Sequence, residues 1–264
     1  MKITNYHTHT IFCDGKNTAE EMVLSAIDKG LSEIGFSVHS PLPFKSDWAI
    51  RDERVNEYIS TLSELKEKYK ERIKIYIGIE QDYYSINDTS KFDYIIGSVH
   101  YIYKNGEYLP LDLSAEATKE NIDKYYGGDA IAYCEDYYKL VADIYNRTKC
   151  QIIGHFDLIT KFNERLPLID TNCQRYKNAV NSALKLLLDT PAIFEINTGA
   201  ISRGYRTSAY PESWILHDIA KSGKPFVVNS DSHNVDTIDF GIEKTQKELD
   251  SYGYKYIESL DELL

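Results

Sequence analysis

Residues 2–30, KITNYHTHTIFCDGKNTAEEMVLSAIDKG, contain a short strand-like segment followed by an amphipathic helix. Thr18 and Glu21 have the spacing of a capping box, so the helix is predicted to begin directly after Thr18. Its apolar residues recur at helical spacing and form one stripe: Ala19, Met22, Val23, Ala26 and Ile27. The segment therefore predicts a βα unit whose strand ends near His7 and His9.

The same alternation of strand and helix continues along the chain. Six further strand-like segments occupy residues 31–39, 73–83, 93–102, 151–158, 192–199 and 225–233. Predicted helices occupy residues 54–70, 129–147, 173–188 and 211–221. The strands are rich in Ile and Val, as in a parallel sheet covered on both faces. We predict a single α/β domain over residues 1–264, a TIM-like (β/α)7 barrel, with a doubly wound open sheet as the alternative.

One segment interrupts this alternation. Residues 103–129 form a long polar connection between the fourth predicted strand and the helix at 129–147. We predict that this connection is a loop with a short helix, and that it lies over the mouth of the barrel.

The composition limits the class of partner. The chain has 264 residues, 42% of them hydrophobic, which suits one barrel-sized domain with a full core. Its formal net charge is −11 and it has no basic run, so its surface charge does not favour binding to nucleic acid or to an anionic membrane. A small substrate is expected.

The spacing of the cysteines indicates in which cellular compartment the protein works. The four, Cys13, Cys134, Cys150 and Cys173, form neither a C-x-x-C pair nor a closely spaced framework, and the sequence contains no signal-peptide or membrane-length apolar run. These features predict a protein of the reducing cytoplasm.

Most of the histidines fall at the ends of predicted strands. His7 and His9 end the first strand, and the other such residues end later strands: His39, Glu80, His100, His155, Asp231 and His233. Because the C-terminal ends of parallel strands share one rim of a barrel, these side chains are expected to surround one cavity. Any one of these histidines alone is more simply explained as a core or surface residue. The shared position of six of them favours a common site.

A metal centre explains this convergence best. Imidazoles and carboxylates buried together without a cation would leave unpaired polar groups and repelling like charges. Mixed imidazole and carboxylate ligands favour zinc, manganese or iron over calcium or magnesium. With Asp14 the candidate ligands number nine, enough for two or three divalent ions. Cys13 is not needed, and His217, inside a predicted helix, receives no ligand role.

Such a centre predicts hydrolysis of phosphoesters. Clustered divalent ions bind phosphoryl oxygens, lower the pKa of a water and stabilise the charge of an in-line displacement. They also reverse the sign of the local field, so an acidic chain can bind an anionic substrate.

Four motifs resemble those of the polymerase and histidinol phosphatase (PHP) family of metal-dependent phosphoesterases. They are YHTHT at 6–10, SVHSP at 37–41, GSVH at 97–100 with GHFD at 154–157, and NSDSH at 229–233. The resemblance runs from Ile3 to about Asn234. It is greatest to the stand-alone histidinol-phosphatase branch, through the chain length, HSPLPF at 39–44 and EINTGAISRGYR at 195–206.

The resemblance implies a distorted seven-stranded barrel with up to three divalent ions. By this analogy His7, His9, Glu80 and Asp231 hold one ion. A second is held by Glu80, which bridges, together with His100 and His155, and a third by Asp14, His39 and His233. The implied reaction is hydrolysis of L-histidinol phosphate, a small phosphorylated amino alcohol, in histidine biosynthesis. Asp231 or His233 is expected to handle a proton as a catalytic residue.

Several further residues are candidates for supporting roles. Arg203, Arg206 and Lys161 are cations on rim loops that could bind phosphate, although a solvated loop explains them equally. Asp157 could orient a ligating imidazole or form an ordinary turn at a strand end. We expect Glu195 and Asn197 to be structural or to contact the substrate amine.

Two other functions stay open from the sequence. A phosphoesterase of the same fold could act on nucleotides or nucleic-acid ends, and a non-catalytic module could bind metals only for structure. The acidic balance disfavours the first, and the full carboxylate set disfavours the second. The sequence leaves the oligomeric state undetermined.

Overall fold

Seven parallel strands form the central sheet of the computed structural model, which describes residues 2–264. Together with the two strands of a separate hairpin, the strands are β1 Thr4–Asn5, β2 Glu33–His39, β3 Lys74–Asp82, β4 Tyr94–Ser98, β5 Tyr101–Lys104, β6 Glu107–Pro110, β7 Ile152–Ile153, β8 Ile193–Asn197 and β9 Phe226–Asn229. In the central sheet their order is β1-β2-β3-β4-β7-β8-β9, while β5 and β6 pair separately. Each strand thus lies beside the next in sequence, as in a barrel.

The first and last strands meet just beyond their C-terminal ends. The amide of His9 donates to the carbonyl of Ser232 at 2.8 Å, and the amide of Ser232 donates to the carbonyl of His7 at 3.1 Å. A parallel bridge joins Thr8 to Ser232. This contact nearly closes the sheet and confirms the predicted barrel over the open doubly wound sheet.

Helices surround the barrel, five of them at the positions the sequence predicts with small differences at their ends, whereas the helix at residues 242–252 was not predicted. They are α1 Ala19–Asp28, α2 Val55–Tyr69, α3 Ala115–Tyr126, α4 Ala130–Thr148, α5 Gln174–Leu188, α6 Gly199–Ser202, α7 Ser213–Lys221 and α8 Ile242–Tyr252. The capping box of Thr18 and Glu21 is present at the start of α1. Within residues 2–264, each helix is too short or too polar to span a membrane.

The connection after β4 differs from the predicted loop. It contains the β5–β6 hairpin and the twelve-residue helix α3. Asn105 and Gly106 occupy the turn with φ of 51° and 88°, the left-handed backbone that two-residue hairpins require. Asn-Gly between two alternating segments was the sequence signal for this hairpin.

The inside of the barrel changes in character along its axis. Alternate residues of the strands face inward, and near the lower end these are apolar: Tyr6, Tyr76, Tyr94, Ile96, Ile152, Ile193 and Val227. Gly78 makes room for Tyr94, because a Cβ at residue 78 would lie 2.3 Å from that ring. Two residues further along β3, the inward position is Glu80. The apolar layer thus forms the floor on which the polar upper end is built.

The C-terminal segment closes the lower end. Ile257 and Leu260 pack with the inward-facing tyrosines. The carboxylate of Glu33 accepts hydrogen bonds from Tyr6 Oη at 2.7 Å and Ser259 Oγ at 2.8 Å. The barrel therefore opens to solvent at its other end, where the C-terminal ends of the strands lie.

Candidate metal centre

Nine side chains from separate parts of the chain converge at the upper end of the barrel. They are the nine candidate ligands of the sequence analysis: His7, His9, Asp14, His39, Glu80, His100, His155, Asp231 and His233. Glu80 lies two residues before the end of β3, and Asp14 lies in the loop between β1 and α1. The other seven end a strand or follow within a few residues of one. Because the C-terminal ends of parallel strands share one rim, residues as far apart in sequence as His7 and His233 lie together.

Glu80 lies at the middle of this cluster and is fully buried. Its Oε2 is 3.3 Å from His7 Nε2 and 2.8 Å from His39 Nδ1. Its Oε1 is 2.9 Å from His155 Nε2 and 3.4 Å from His100 Nε2. His9 Nε2 lies 3.7 Å from Oε2, so this carboxylate faces five imidazoles, three at Oε2 and two at Oε1.

Two further carboxylates complete the cluster. Asp231 Oδ1 lies 3.3 Å from His9 Nε2 and 3.6 Å from His7 Nε2. Asp14 lies nearer the solvent, with Oδ2 3.3 Å from His233 Nε2 and Oδ1 3.5 Å from a nitrogen of His39. Asp231 has a φ of 48°, a left-handed conformation that is uncommon for a residue with a side chain and concentrates at functional sites.

The donor atoms fit divalent cations. They fall into overlapping groups whose members lie within 4.8 Å of one another: His7, Glu80 and His155; His7, His9 and Asp231; His39, Glu80 and His100; and His9, Asp14, His39 and His233. Within residues 2–264, several buried atoms of this cluster have no hydrogen-bond partner, namely His7 Nε2, His9 Nε2, His39 Nδ1 and Glu80 Oε2. Buried polar atoms without partners are costly, and a cation would satisfy them.

The electrostatics of the cluster keep Glu80 and His9 in the form that ligates. Burial raises the pKa of Glu80, but the facing imidazoles of His7, His39 and His100 outweigh it and hold the pKa well below its usual range. Burial, with the neighbouring His39 and His233, lowers the pKa of His9 to about 3. Glu80 is therefore an anion, and His9 is a neutral ring with a free lone pair. For His7 and His100, burial lowers the pKa, but the nearby carboxylates outweigh it and raise the pKa well above its usual value.

In two of the imidazoles, the ring nitrogen that faces away from the cluster contacts a carboxylate. Neither carboxylate was predicted from the sequence to orient an imidazole. His7 Nδ1 lies 2.6 Å from Glu195 Oε1, and His100 Nδ1 lies 3.3 Å from Asp82 Oδ2. Asp157, for which the sequence left open a role beside an imidazole or in a turn, accepts through Oδ2 from the amide of Glu212 at 3.0 Å. The alternation of β3 and β8, which puts Asp82 and Glu195 on the inward face, was the signal for both.

The three candidate phosphate-binding cations fall into two groups. Arg203 and Lys161 line the cavity above the cluster. Arg203 donates to Asp231 through Nη1 to the backbone carbonyl at 2.8 Å and Nη2 to Oδ2 at 2.9 Å. Arg206 lies outside this lining, buried, with Nη1 donating to Thr160 Oγ1 and 3.8 Å from Asp157 Oδ2. The structure thus separates Arg206 from the other two cations.

A cavity of about 830 Å³ opens above the cluster. One of its walls is aromatic, formed by Phe44, Trp48, Tyr101 and Tyr108. Trp48 packs edge-on against His39 with ring centroids 4.5 Å apart, and its Nε1 donates to Tyr101 Oη at 3.0 Å. This wall was not predicted from the sequence. His217 lies elsewhere, at the surface beside Tyr254.

Comparisons with known proteins agree with this architecture. The PHP domain model matches residues 5–199. Histidinol-phosphatase of Bacillus subtilis is 28% identical over 92% of this chain and 98% of its own length. The structure of HisK from Listeria monocytogenes superimposes with a TM-score of 0.80 at 25% identity, covering 91% of this chain and 99% of the other.

A second solved structure also shares the fold. Histidinol phosphate phosphatase from Lactococcus lactis, complexed with zinc, L-histidinol and phosphate, has a TM-score of 0.68 at 23% identity. The match covers 97% of this chain and 95% of that one.

Metal removal tests the cluster directly. With zinc or manganese at about 100 times its dissociation constant, we expect chelation to lower the melting temperature by about 5 °C or more, because the ions bind only the folded site. His217→Ala should keep this metal-dependent shift, whereas His9→Ala should reduce it. Scanning calorimetry with and without chelator measures both. Identical melting of wild-type protein in the two conditions would contradict a metal site.

Proposed function

Because this chain belongs to the PHP domain family, we propose that it is a metal-dependent phosphomonoesterase that hydrolyses L-histidinol phosphate to L-histidinol and inorganic phosphate. The observation that carries the proposal is the convergence of six imidazoles and three carboxylates at the floor of one open cavity. The full-length similarity to a histidinol-phosphatase supports the choice of substrate. The four free cysteines suit the reducing cytoplasm in which we place the protein.

Three divalent ions, zinc, manganese or iron, are part of this proposal. His7, His9, Glu80 and Asp231 would hold the first; Glu80, His100 and His155 the second; and Asp14, His39 and His233 the third. When bound, the ions would supply Lewis acidity and lower the pKa of a water that attacks phosphorus. The third site is the most open, since the side chains of Asp14 and His233 are 35% and 19% exposed while those of His7 and Glu80 are fully buried.

The chain's own cations would hold the phosphate. Arg203 and Lys161 both line the cavity, and each is anchored by one carboxylate, Asp231 at 2.9 Å and Asp112 at 3.2 Å. Anchored cations keep their direction, so they can bind phosphate oxygens as charge shifts in the transition state. Arg206 is left out of this set because of its buried position.

One proton must move to the leaving alkoxide. The sequence leaves this step to Asp231 or His233, and both are also proposed metal ligands. Asp231 Oδ2 already accepts from Arg203 at 2.9 Å and from Asn197 at 3.3 Å, and its Oδ1 faces imidazoles. His233 lines the open cavity, and its Nδ1 lies 3.0 Å from the backbone carbonyl of Asp231. With its Nε2 on an ion, its ring would have no proton to give, so the third ion, when bound, would supply the charge that stabilises the leaving oxygen.

The cavity suits a small substrate. Its volume of about 830 Å³ is in the range of sites that enclose small molecules. The aromatic wall offers a surface against which the imidazole ring of histidinol phosphate could stack. A nucleotide would also fit by size, so nucleoside monophosphates are the competing substrates to compare.

Substrate preference gives the first test. We expect purified protein to release phosphate from histidinol phosphate with a kcat/KM well above that for nucleoside monophosphates, and chelation to abolish the activity. Phosphate release from a panel of monoesters, with and without chelator, measures this. Faster hydrolysis of a nucleotide or of an oligonucleotide end would replace our choice of substrate. Metal binding without hydrolysis of any member would favour a structural module.

Metal content tests the number of ions. We expect about three divalent ions per chain, and Asp14→Ala or His39→Ala should each remove one. Elemental analysis after gel filtration provides the count. Full activity with a single ion, or unchanged content in both variants, would contradict a three-ion centre.

Removal of Arg203 tests the phosphate-binding assignment. We expect Arg203→Ala to lower kcat/KM at least about tenfold on both histidinol phosphate and p-nitrophenyl phosphate, equivalent to about 1.4 kcal/mol. Arg206→Ala, whose side chain is buried away from the cavity, should affect stability more than kcat/KM. Metal content of each variant controls for indirect loss through Asp231. Near-normal kinetics of Arg203→Ala on both substrates would exclude it from phosphate binding.

A further inference from the structure

Glu195 is a buried carboxylate that the proposed reaction does not use. It lies on β8, is fully shielded from solvent and is absent from the lining of the cavity. It therefore cannot contact the substrate amine, one of the roles that the sequence left open. A buried anion at this place requires partners, and its partners connect it to the metal centre.

Four nitrogen atoms surround the carboxylate, two at each oxygen. Oε1 lies 2.6 Å from His7 Nδ1 and 2.9 Å from Asn229 Nδ2. Oε2 lies 2.8 Å from the backbone nitrogen of His155 and 3.0 Å from Asn197 Nδ2. Glu195 thus contacts residues on or just after three other strands, and one on its own strand.

The surrounding contacts show that these nitrogens are donors. Asn229 Oδ1 accepts from the amide of Tyr6 at 2.8 Å, so the amino group of Asn229 must face Glu195. Asn197 Oδ1 accepts from the amide of Gly199 at 2.9 Å, which orients its amino group in the same way. The backbone N–H of residue 155 can only donate. The site at Glu195 therefore requires acceptors alone, which an ionised carboxylate provides.

This requirement determines the tautomer of His7. Facing an acceptor, its Nδ1 carries a proton, so in the neutral ring the lone pair is on Nε2. That atom lies 3.3 Å from Glu80 Oε2 and 3.6 Å from Asp231 Oδ1, at the centre of the candidate ligands. Carboxylates that hold the second nitrogen of a ligating histidine typically change metal affinity by about 10–100-fold.

We infer that Glu195 is the positioning residue of the metal centre: it fixes His7 in the Nδ1–H tautomer and holds the backbone of His155, so that both imidazoles face Glu80. The inference rests on the proposed metal centre and adds a residue to it. His7, Glu80 and His155 form one of the groups whose donor atoms lie within 4.8 Å. A single carboxylate thereby aligns two ligands that come from distant parts of the chain.

The best variant is Glu195→Gln, which preserves size and removes the acceptor-only character. If the amide nitrogen of the substituted side chain took the place of Oε1, His7 would have to accept at Nδ1 and carry its proton on Nε2, where it could not ligate. If that nitrogen took the place of Oε2, it would face the N–H of residue 155. Glu195→Asp is shorter but keeps the acceptors, so it should retain more metal affinity than the glutamine variant.

Glu33→Gln provides a matched control. Glu33 is also a buried strand glutamate, and it accepts from Tyr6 Oη, Ser259 Oγ and the amide of Leu260 at the lower end of the barrel. These three partners lie outside the set of candidate metal ligands. Loss of folding stability alone would therefore appear in both glutamine variants.

Two measurements test the inference on the intact protein. Zinc affinity is measured by competition with a chromophoric chelator. The tautomer of His7 is measured by ¹⁵N–¹H correlation spectra of histidine-labelled, zinc-free protein at a pH at which the His7 ring is neutral. We expect Glu195→Gln to bind zinc about 10–100-fold more weakly and to lose the Nδ1–H signature of His7. Glu33→Gln should match wild type in both, and Glu195→Asp should lie between.

The outcomes separate this inference from the proposed function. Unchanged zinc affinity and an unchanged His7 tautomer in Glu195→Gln would overturn it, as would equal losses in Glu33→Gln. Wild-type protein that binds zinc but does not hydrolyse histidinol phosphate would overturn the proposed substrate and leave the role of Glu195 supported by the same two measurements. Wild-type protein that binds no zinc would overturn the metal centre and this inference together.

Discussion

The carboxylate of Glu80, which faces five imidazoles at the upper end of the barrel below the open cavity, is the interaction on which the site depends. A buried carboxylate surrounded by hydrogen-bond donors and cations is stable, whereas the same group among unpaired acceptors is costly. Glu80 Oε2 and several imidazole nitrogens near it lack hydrogen-bond partners within residues 2–264. The protein therefore concentrates unsatisfied ligand atoms at one point, and divalent cations are the groups that satisfy them.

The fold tolerates this concentration of polar groups by separating it from the apolar interior. Below Glu80 the barrel is filled by Tyr6, Tyr76 and Tyr94, and outside it the helices bury a second, larger apolar cluster. Buried apolar area contributes roughly 25 cal/mol per Å², so these layers can offset a strained and polar upper end. The left-handed backbone of Asp231 lies at that end, beside the bridge that nearly closes the sheet. The apolar residues that stabilise the barrel and the polar residues of the site thus lie at opposite ends of the same strands.

Much of this arrangement follows from the sequence, and the reasons are general. Apolar strands alternating with helices predict a parallel barrel, and residues at the C-terminal ends of such strands must share a rim, so the clustering of His7 with His233 required no structure. Contacts that depend on the direction in which a side chain points could not be predicted from the sequence in this way. The placement of Arg206 away from the cavity and the choice of Glu195 over Asp157 beside an imidazole depend on which way loop and strand residues point. The β5–β6 hairpin and α8 were missed for different reasons: the Asn-Gly turn was overlooked, and the region after residue 233 was assigned no element.

The most direct test of the account is anomalous diffraction from crystals grown with zinc and phosphate, recorded on both sides of the zinc absorption edge. The account predicts anomalous peaks within the cluster formed by Glu80, Asp231 and Asp14, with phosphate density between them and Arg203. Ordered side chains at full zinc saturation without an anomalous peak in this cluster would contradict it.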